Sequence, residues 1–137
     1  MPKKLLVVDD DVDIRMALRD RLSSMGFDVV TENNGHSALS RIALEARRVP
    51  IHGMLLDLQM PMFDGMAVLR ELQESHHDMP IIIISATADT CLLKKTLDLG
   101  ARGYLTKPLN NRLLKELCLR VFLGDNELPD KSSRDIR

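Results

Sequence analysis

The sequence predicts an α/β domain, a doubly wound parallel sheet of five strands with helices on both faces. Three observations carry that prediction. Short apolar runs alternate five times with segments of helical periodicity, the pattern of repeated βα units. Most of the runs are continuously apolar rather than alternating, as strands buried on both faces are. Four of them also end on a polar group: Asp9-Asp10 after Leu5-Leu6-Val7-Val8, Asp57 after Met54-Leu55-Leu56, Ser85 after Ile81-Ile82-Ile83-Ile84, and Lys107 after Tyr104-Leu105-Thr106. In a parallel sheet these groups collect at one edge, which is where open α/β sheets build their sites.

Residues 4–8 form the first strand, and 12–25 the first helix, with Ile14, Leu18, Leu22 and Met25 at helical spacing and Gly26 as its C-cap. Phe27-Asp28-Val29-Val30-Thr31 alternates weakly and reads as a second strand at an edge. A helix over 36–47 is built on Ala38, Leu39, Ile42 and Ala43, and a third strand spans 52–57. The loop Gln59 to Gly65 carries Pro61 and an Asp-Gly pair, both turn signals. A third helix follows at 65–74, then a strand at 80–84 whose isoleucines suit a pleated buried surface. The pattern closes with a helix at 89–99 ended by Gly100, a short strand at 102–106 and a helix at 109–122. Right-handed crossovers then give a three-layer sandwich. From Gly124 to Arg137 the chain is polar and contains Pro129 and Ser132-Ser133, so residues 1–123 are read as the domain and 124–137 as a flexible tail or the start of a linker.

Bulk composition excludes several classes. A chain of 137 residues is one domain with room for a core. A net charge of −1 and 3% aromatic residues argue against a nucleic-acid surface or a base-stacking platform. No apolar stretch reaches the ~20 residues of a membrane span, and Met-Pro-Lys-Lys has no signal-peptide organisation. The expected location is cytoplasmic. Cys91 and Cys118 have no metal-type spacing and are expected to be packed or half-buried thiols in helices. His76-His77 sits in a polar loop and is expected to be solvated.

Three carboxylates at one edge repel one another unless a cation sits among them. Mg²⁺ takes hard oxygen ligands and keeps several waters, so one or two carboxylates and a backbone carbonyl suit it. Its open positions would face a phosphoryl group, and a carboxylate can accept one as a nucleophile. Asp57 lies between the acidic pair and the Ser85/Lys107 side, the place for that nucleophile; Lys107 offers a positive charge and Ser85 a hydroxyl.

The segments Leu6-Val7-Val8-Asp9-Asp10, Leu55-Leu56-Asp57-Leu58-Gln59-Met60-Pro61 and Gly100-Ala101-Arg102-Gly103-Tyr104-Leu105-Thr106-Lys107-Pro108 resemble the receiver domain of bacterial two-component response regulators. The resemblance covers residues 4 to about 123 and implies the flavodoxin-like strand order 2-1-3-4-5. It implies Asp57 as phosphoacceptor, with Mg²⁺ held by Asp10 and Asp57 directly, by the Gln59 backbone carbonyl, and by Asp9 mainly through water. Ser85 and Lys107 would bind the phosphoryl group, Tyr104 would rotate with Ser85 as the switch aromatic, and the Lys107-Pro108 peptide would be cis. The implied role is a phosphorelay module and not an enzyme on other substrates: it takes phosphate from a histidine kinase or phosphotransfer protein and switches to control an output domain or partner. A homodimer through helix 4, strand 5 and helix 5 is possible, with no direct nucleic-acid contact by this domain and no membrane contact. Met62 stands where the family often has Gly, Ser85 where Thr is commoner, and the segment Glu45 to His52 is slightly long.

Plainer readings compete at several positions. Asp11 is best read as a helix N-cap, and Asp64 as a turn or N-cap residue. Lys94, Lys95, Arg112, Lys115 and Arg120 are by default a solvated face. A phosphatase or nucleotide binder on the same sheet would need a glycine-rich phosphate loop after strand 1, where Asp9-Asp10-Asp11 stands instead. A degenerate, purely interacting receiver would have lost some of the chemical positions; all are filled.

Overall fold

Each apolar run forms a strand in the computed structural model, which describes residues 2–61, 63–75 and 77–124. In chain order the elements are β1 (Lys4–Val8), α1 (Val12–Ser24), β2 (Asp28–Glu32), α2 (Gly35–Glu45), β3 (Gly53–Asp57), α3 (Gly65–Glu74), β4 (Ile81–Ser85), α4 (Thr90–Asp98), β5 (Gly103–Thr106) and α5 (Asn111–Cys118), continued by a π-helical turn at Leu119–Leu123. The strands form one parallel sheet in the order β2-β1-β3-β4-β5, as expected, with β2 and β5 at the edges.

Alternate residues of each strand serve two cores. Leu6, Val8, Met54, Leu56, Ile81 and Ile83 face α2, α3 and α4, while Leu5, Val7, Leu55, Ile82, Ile84 and Leu105 face α1 and α5. The central strands are therefore sealed on both sides, which explains their continuous apolarity. Each such side chain contributes about 1.5–3 kcal/mol relative to exposure.

All five helices start on an Asp or Asn whose side chain accepts from backbone amides of the first turn: Asp11, Asn34, Asp64, Asp89 and Asn110. The readings of Asp11 and Asp64 as caps hold. Gly26 and Gly100 have φ of 98° and 104°, the left-handed conformation that ends α1 and α4. The Lys107-Pro108 peptide is cis.

The differences from expectation are local. Ser85 belongs to β4 as its last residue instead of following it. The helix α2 stops at Glu45, whose carboxylate is buried against Lys4 (3.1 Å) and Arg41 (3.3 Å). The last helix leaves α geometry after Cys118. That π turn delivers Phe122 to the floor of the sheet, where a Cβ at Gly53 would overlap its ring and Phe27 meets it edge-on at 6.1 Å. Lys3 Nζ (3.0 Å) and His52 Nε2 (2.9 Å) both donate to the Phe122 carbonyl. Cys118 is buried, but Cys91 is exposed, contrary to the expected packing: it occupies the outward side of the first turn of α4. His77 is exposed as expected. Met62, His76 and, apart from Gly124, the expected tail lie outside the described residues. Among the described residues no helix is long and apolar enough to cross a membrane.

Candidate functional site

The strand register puts the carboxyl ends of β1, β3, β4 and β5 side by side. Val8 pairs with Leu56, Asp57 with Ile84, and Ser85 with Thr106. Asp9 therefore follows β1 beside Asp57, and Lys107 leaves β5 beside Ser85, whose carbonyl accepts from the Lys107 amide at 2.8 Å. Asp57 and Ser85 are the last residues of β3 and β4, and Asp9 and Lys107 follow the ends of β1 and β5 directly.

Asp9 and Asp57 are almost wholly buried, and Asp10 is exposed. Carboxylate oxygens from the three lie within 4.8 Å of one another. Lys107 Nζ reaches Asp9 Oδ2 at 3.0 Å and Asp57 Oδ2 at 3.4 Å. Asp57 Oδ1 accepts from the Gln59 amide at 3.2 Å, and Asp9 Oδ1 from the Asp11 amide at 2.9 Å. The Asp9 Oδ2 atom has only the ion-pair contact with Lys107, without hydrogen-bond alignment. One ammonium thus stands against three carboxylates. Such a set of hard, partly unsatisfied oxygens, open to solvent through Asp10, could hold a divalent cation.

The electrostatics follow from this crowding. Burial, and then the neighbouring Asp9 carboxylate, push the Asp57 carboxyl up to about 6, against the opposing pull of the Gln59 amide and Lys107. Burial works against the Lys107 ammonium, but its bond to Asp9 and its attraction to Asp57 outweigh that and raise its pKa.

Ser85 is buried at the same edge, and its hydroxyl oxygen accepts from the Thr87 amide at 3.1 Å. Tyr104 stands apart from the cluster. It pairs with Ile83, so it shares the α4 side of the sheet, and it is 40% exposed on the edge strand.

Gln59, expected to act through its backbone carbonyl, also makes a side-chain contact beside the cluster, and Arg15 was not singled out from the sequence at all. The side-chain Oε1 of Gln59 accepts from the Ala86 amide at 3.2 Å and so ties the loop after β3 to the loop after β4. Arg15, on α1, donates through Nη1 to the Asp9 carbonyl at 2.7 Å. In the sequence Arg15 is one of several polar residues on a helix. Its one signal is position, a single turn past the N-cap that follows the acidic pair.

Comparison with known proteins agrees with this arrangement. The family model described as the response regulator receiver domain matches residues 5–118. A probable transcriptional regulator, ycf27, of Cyanophora paradoxa is 39% identical over 131 residues, covering 96% of this chain and 52% of the relative. The response regulator MprA of Mycolicibacterium vanbaalenii is 37% identical over 121 residues, covering 88% of this chain and 49% of the relative. The chain thus spans about half the length of these curated relatives. A chain in the CheX-CheY-BeF3-Mg complex of Borrelia burgdorferi superposes with a TM-score of 0.83 at 29% identity, over 89% of this chain and 90% of that one. The receiver domain of the Francisella response regulator 1452 gives a TM-score of 0.75 at 30% identity, over 88% and 94%.

Proposed function

The chain belongs to the family of response regulator receiver domains, and from that premise we propose that residues 1–123 accept a phosphoryl group on Asp57, in a Mg²⁺-dependent reaction, from a histidine kinase or phosphotransfer protein. The observation that carries the reading is the buried Asp57 carboxylate, held between Asp9 and Lys107 at an edge that Asp10 opens to solvent. Asp10, Asp57 and the Gln59 carbonyl are the direct ligands in this reading, with Asp9 acting through water. Bound there, Mg²⁺ supplies positive charge against the carboxylates and the incoming phosphoryl oxygens.

The residues of the chain then divide the work. An Asp57 oxygen bonds to phosphorus while the donor's phosphorus–nitrogen bond breaks, and the electron pair leaves with the imidazole. Lys107, already at the Asp57 oxygen, shifts its contact to the phosphoryl group and offsets its charge. The Ser85 hydroxyl accepts from the Thr87 amide and keeps its own proton free to donate to a phosphoryl oxygen. Its inward movement frees space for Tyr104, so the face of α4, β5 and α5 carries the signal, to an output domain, a partner or a second copy of the chain. Relatives about twice as long are named as transcriptional regulators, which supports an output beyond this domain, with no nucleic acid bound by the receiver itself. The domain acts only on its own phosphorylation and dephosphorylation, in the cytoplasm.

Incubation with acetyl phosphate and Mg²⁺ tests the reading. One base-labile phosphoryl group should appear on the intact protein by mass spectrometry, and be absent with chelator or in Asp57→Asn. Beryllofluoride should shift amide resonances at the site and along residues 85–106, and much less on α2. Label on a serine or histidine would refute the site assignment; shifts confined to α1 would refute the signalling face.

A further inference from the structure

Asp10 has the hardest task in the pocket. It is exposed, it follows the end of β1, and its carboxylate must still stand within reach of Asp9 and Asp57. Each polar atom of Asp9 has a contact, though that of Oδ2 is an ion pair without hydrogen-bond alignment. Its amide donates to the Glu32 carbonyl (3.3 Å), its Oδ1 accepts from the Asp11 amide (2.9 Å), and its Oδ2 meets Lys107 (3.0 Å). Its carbonyl oxygen accepts from Arg15 Nη1 at 2.7 Å, the short distance of a charge-assisted bond. That carbonyl belongs to the planar Asp9–Asp10 peptide. Holding the oxygen therefore sets the plane, and the plane sets where the Asp10 Cα lies and hence where its side chain starts.

We infer that Arg15 is a positioning residue for the metal pocket: by bracing the Asp9 carbonyl from α1 it holds the Asp9–Asp10 peptide in the orientation that aims Asp10 at the cation. The inference rests on the Mg²⁺ reading above. Arg15 touches neither the cation nor the phosphoryl group. The half-buried stem starts one helical turn beyond the Asp11 cap, and the rigid helix transmits its position to the loop.

Two measurements on the whole chain test this. The first is hydrogen exchange at residues 10–12 in the metal-free protein. The second is a Mg²⁺ binding isotherm. Arg15→Ala should speed exchange at those amides and weaken Mg²⁺ binding by about tenfold, the lower end of what residues behind metal ligands contribute. The melting midpoint should change little, and Arg15→Lys, with a charged donor on a similar stem, should restore most of the binding. Arg19→Ala removes a cation from the next turn of the same helix and should leave both readings as in the wild type. Equal weakening by Arg15→Ala and Arg19→Ala would reduce the effect to net charge and overturn the inference. So would weakened binding with unchanged exchange at residues 10–12. If the unaltered protein bound no Mg²⁺, the metal reading would fall, while the exchange arm would still show whether the brace exists.

Discussion

Neutralising Asp57 should stabilise the metal-free protein near pH 7. The folded pocket raises the Asp57 carboxyl from 3.8 to about 6, chiefly by burial and then by the Asp9 charge. A carboxyl that binds its proton more tightly when folded is favoured by acid: between about pH 4 and 6 the native state holds a proton that the unfolded chain has lost. Stability from this group is thus full below the unfolded value and is lost as pH rises through the folded one. At about 1.4 kcal/mol per pH unit the rise corresponds to about 3 kcal/mol. Solvent reaching the cluster past the exposed Asp10 screens part of that, so about 1–2 kcal/mol is expected. Asn at position 57 keeps an oxygen for the Gln59 amide and carries no charge. Urea denaturation of the wild type and Asp57→Asn, with chelator present, should show the variant ahead by that amount at pH 7.5 and level near pH 4. Added Mg²⁺ should shrink the gap by binding the wild type preferentially. A variant no more stable than the wild type at pH 7.5, or a gap independent of pH, would refute the account of the pocket as charge under compression.

Other consequences are equally direct. A Cβ at Gly65 would lie 2.5 Å from the Asp57 carbonyl and 2.8 Å from the Leu58 Cα, so Gly65→Ala should cost about 1–3 kcal/mol in thermal unfolding and slow labelling by acetyl phosphate as well. Asp11→Ala removes the cap of α1 and should cost about 1 kcal/mol in denaturant titrations while leaving Mg²⁺ affinity near the wild type; Asp10→Ala should do the reverse. Burial holds the Cys118 thiol up to about 12, so a thiol reagent in native buffer should modify Cys91 quickly and Cys118 only on unfolding.

The sheet and the acidic edge could be read from the sequence because both are written in local terms. A continuous apolar run such as Ile81 to Ile84 has few folds open to it, and a polar residue at its end is visible without tertiary information. Asp9, Asp57, Ser85 and Lys107 were placed by that rule alone, and parallel pairing brought them together. What escaped were long side chains whose partners lie across a loop. Arg15 looks like an ordinary surface residue until the chain folds, and for Gln59 only the backbone carbonyl was given a role, because the meaning of both side chains lies in the backbone atoms they reach. The same holds for Glu45, an apparent solvated helix residue that is buried by Lys4 and Arg41. The π turn was missed because periodicity through Leu119–Leu123 is that of an ordinary helix. Gly53 showed no sign that an aromatic ring 69 positions later needs its missing Cβ.

That ring also bears on how the molecule is made. The family model matches as far as residue 118, but the interior does not close there. Phe122 is 1% exposed, wedged on Gly53 and Phe27 with its carbonyl tied to Lys3 and His52. During synthesis, therefore, the four leading βα units emerge with the layer under α1 unsealed, and the first strands wait on a residue at the far end of the domain. Translation has to carry the chain well past Phe122, clear of the ribosome, before the floor of the sheet can shut and the native state become the stable one.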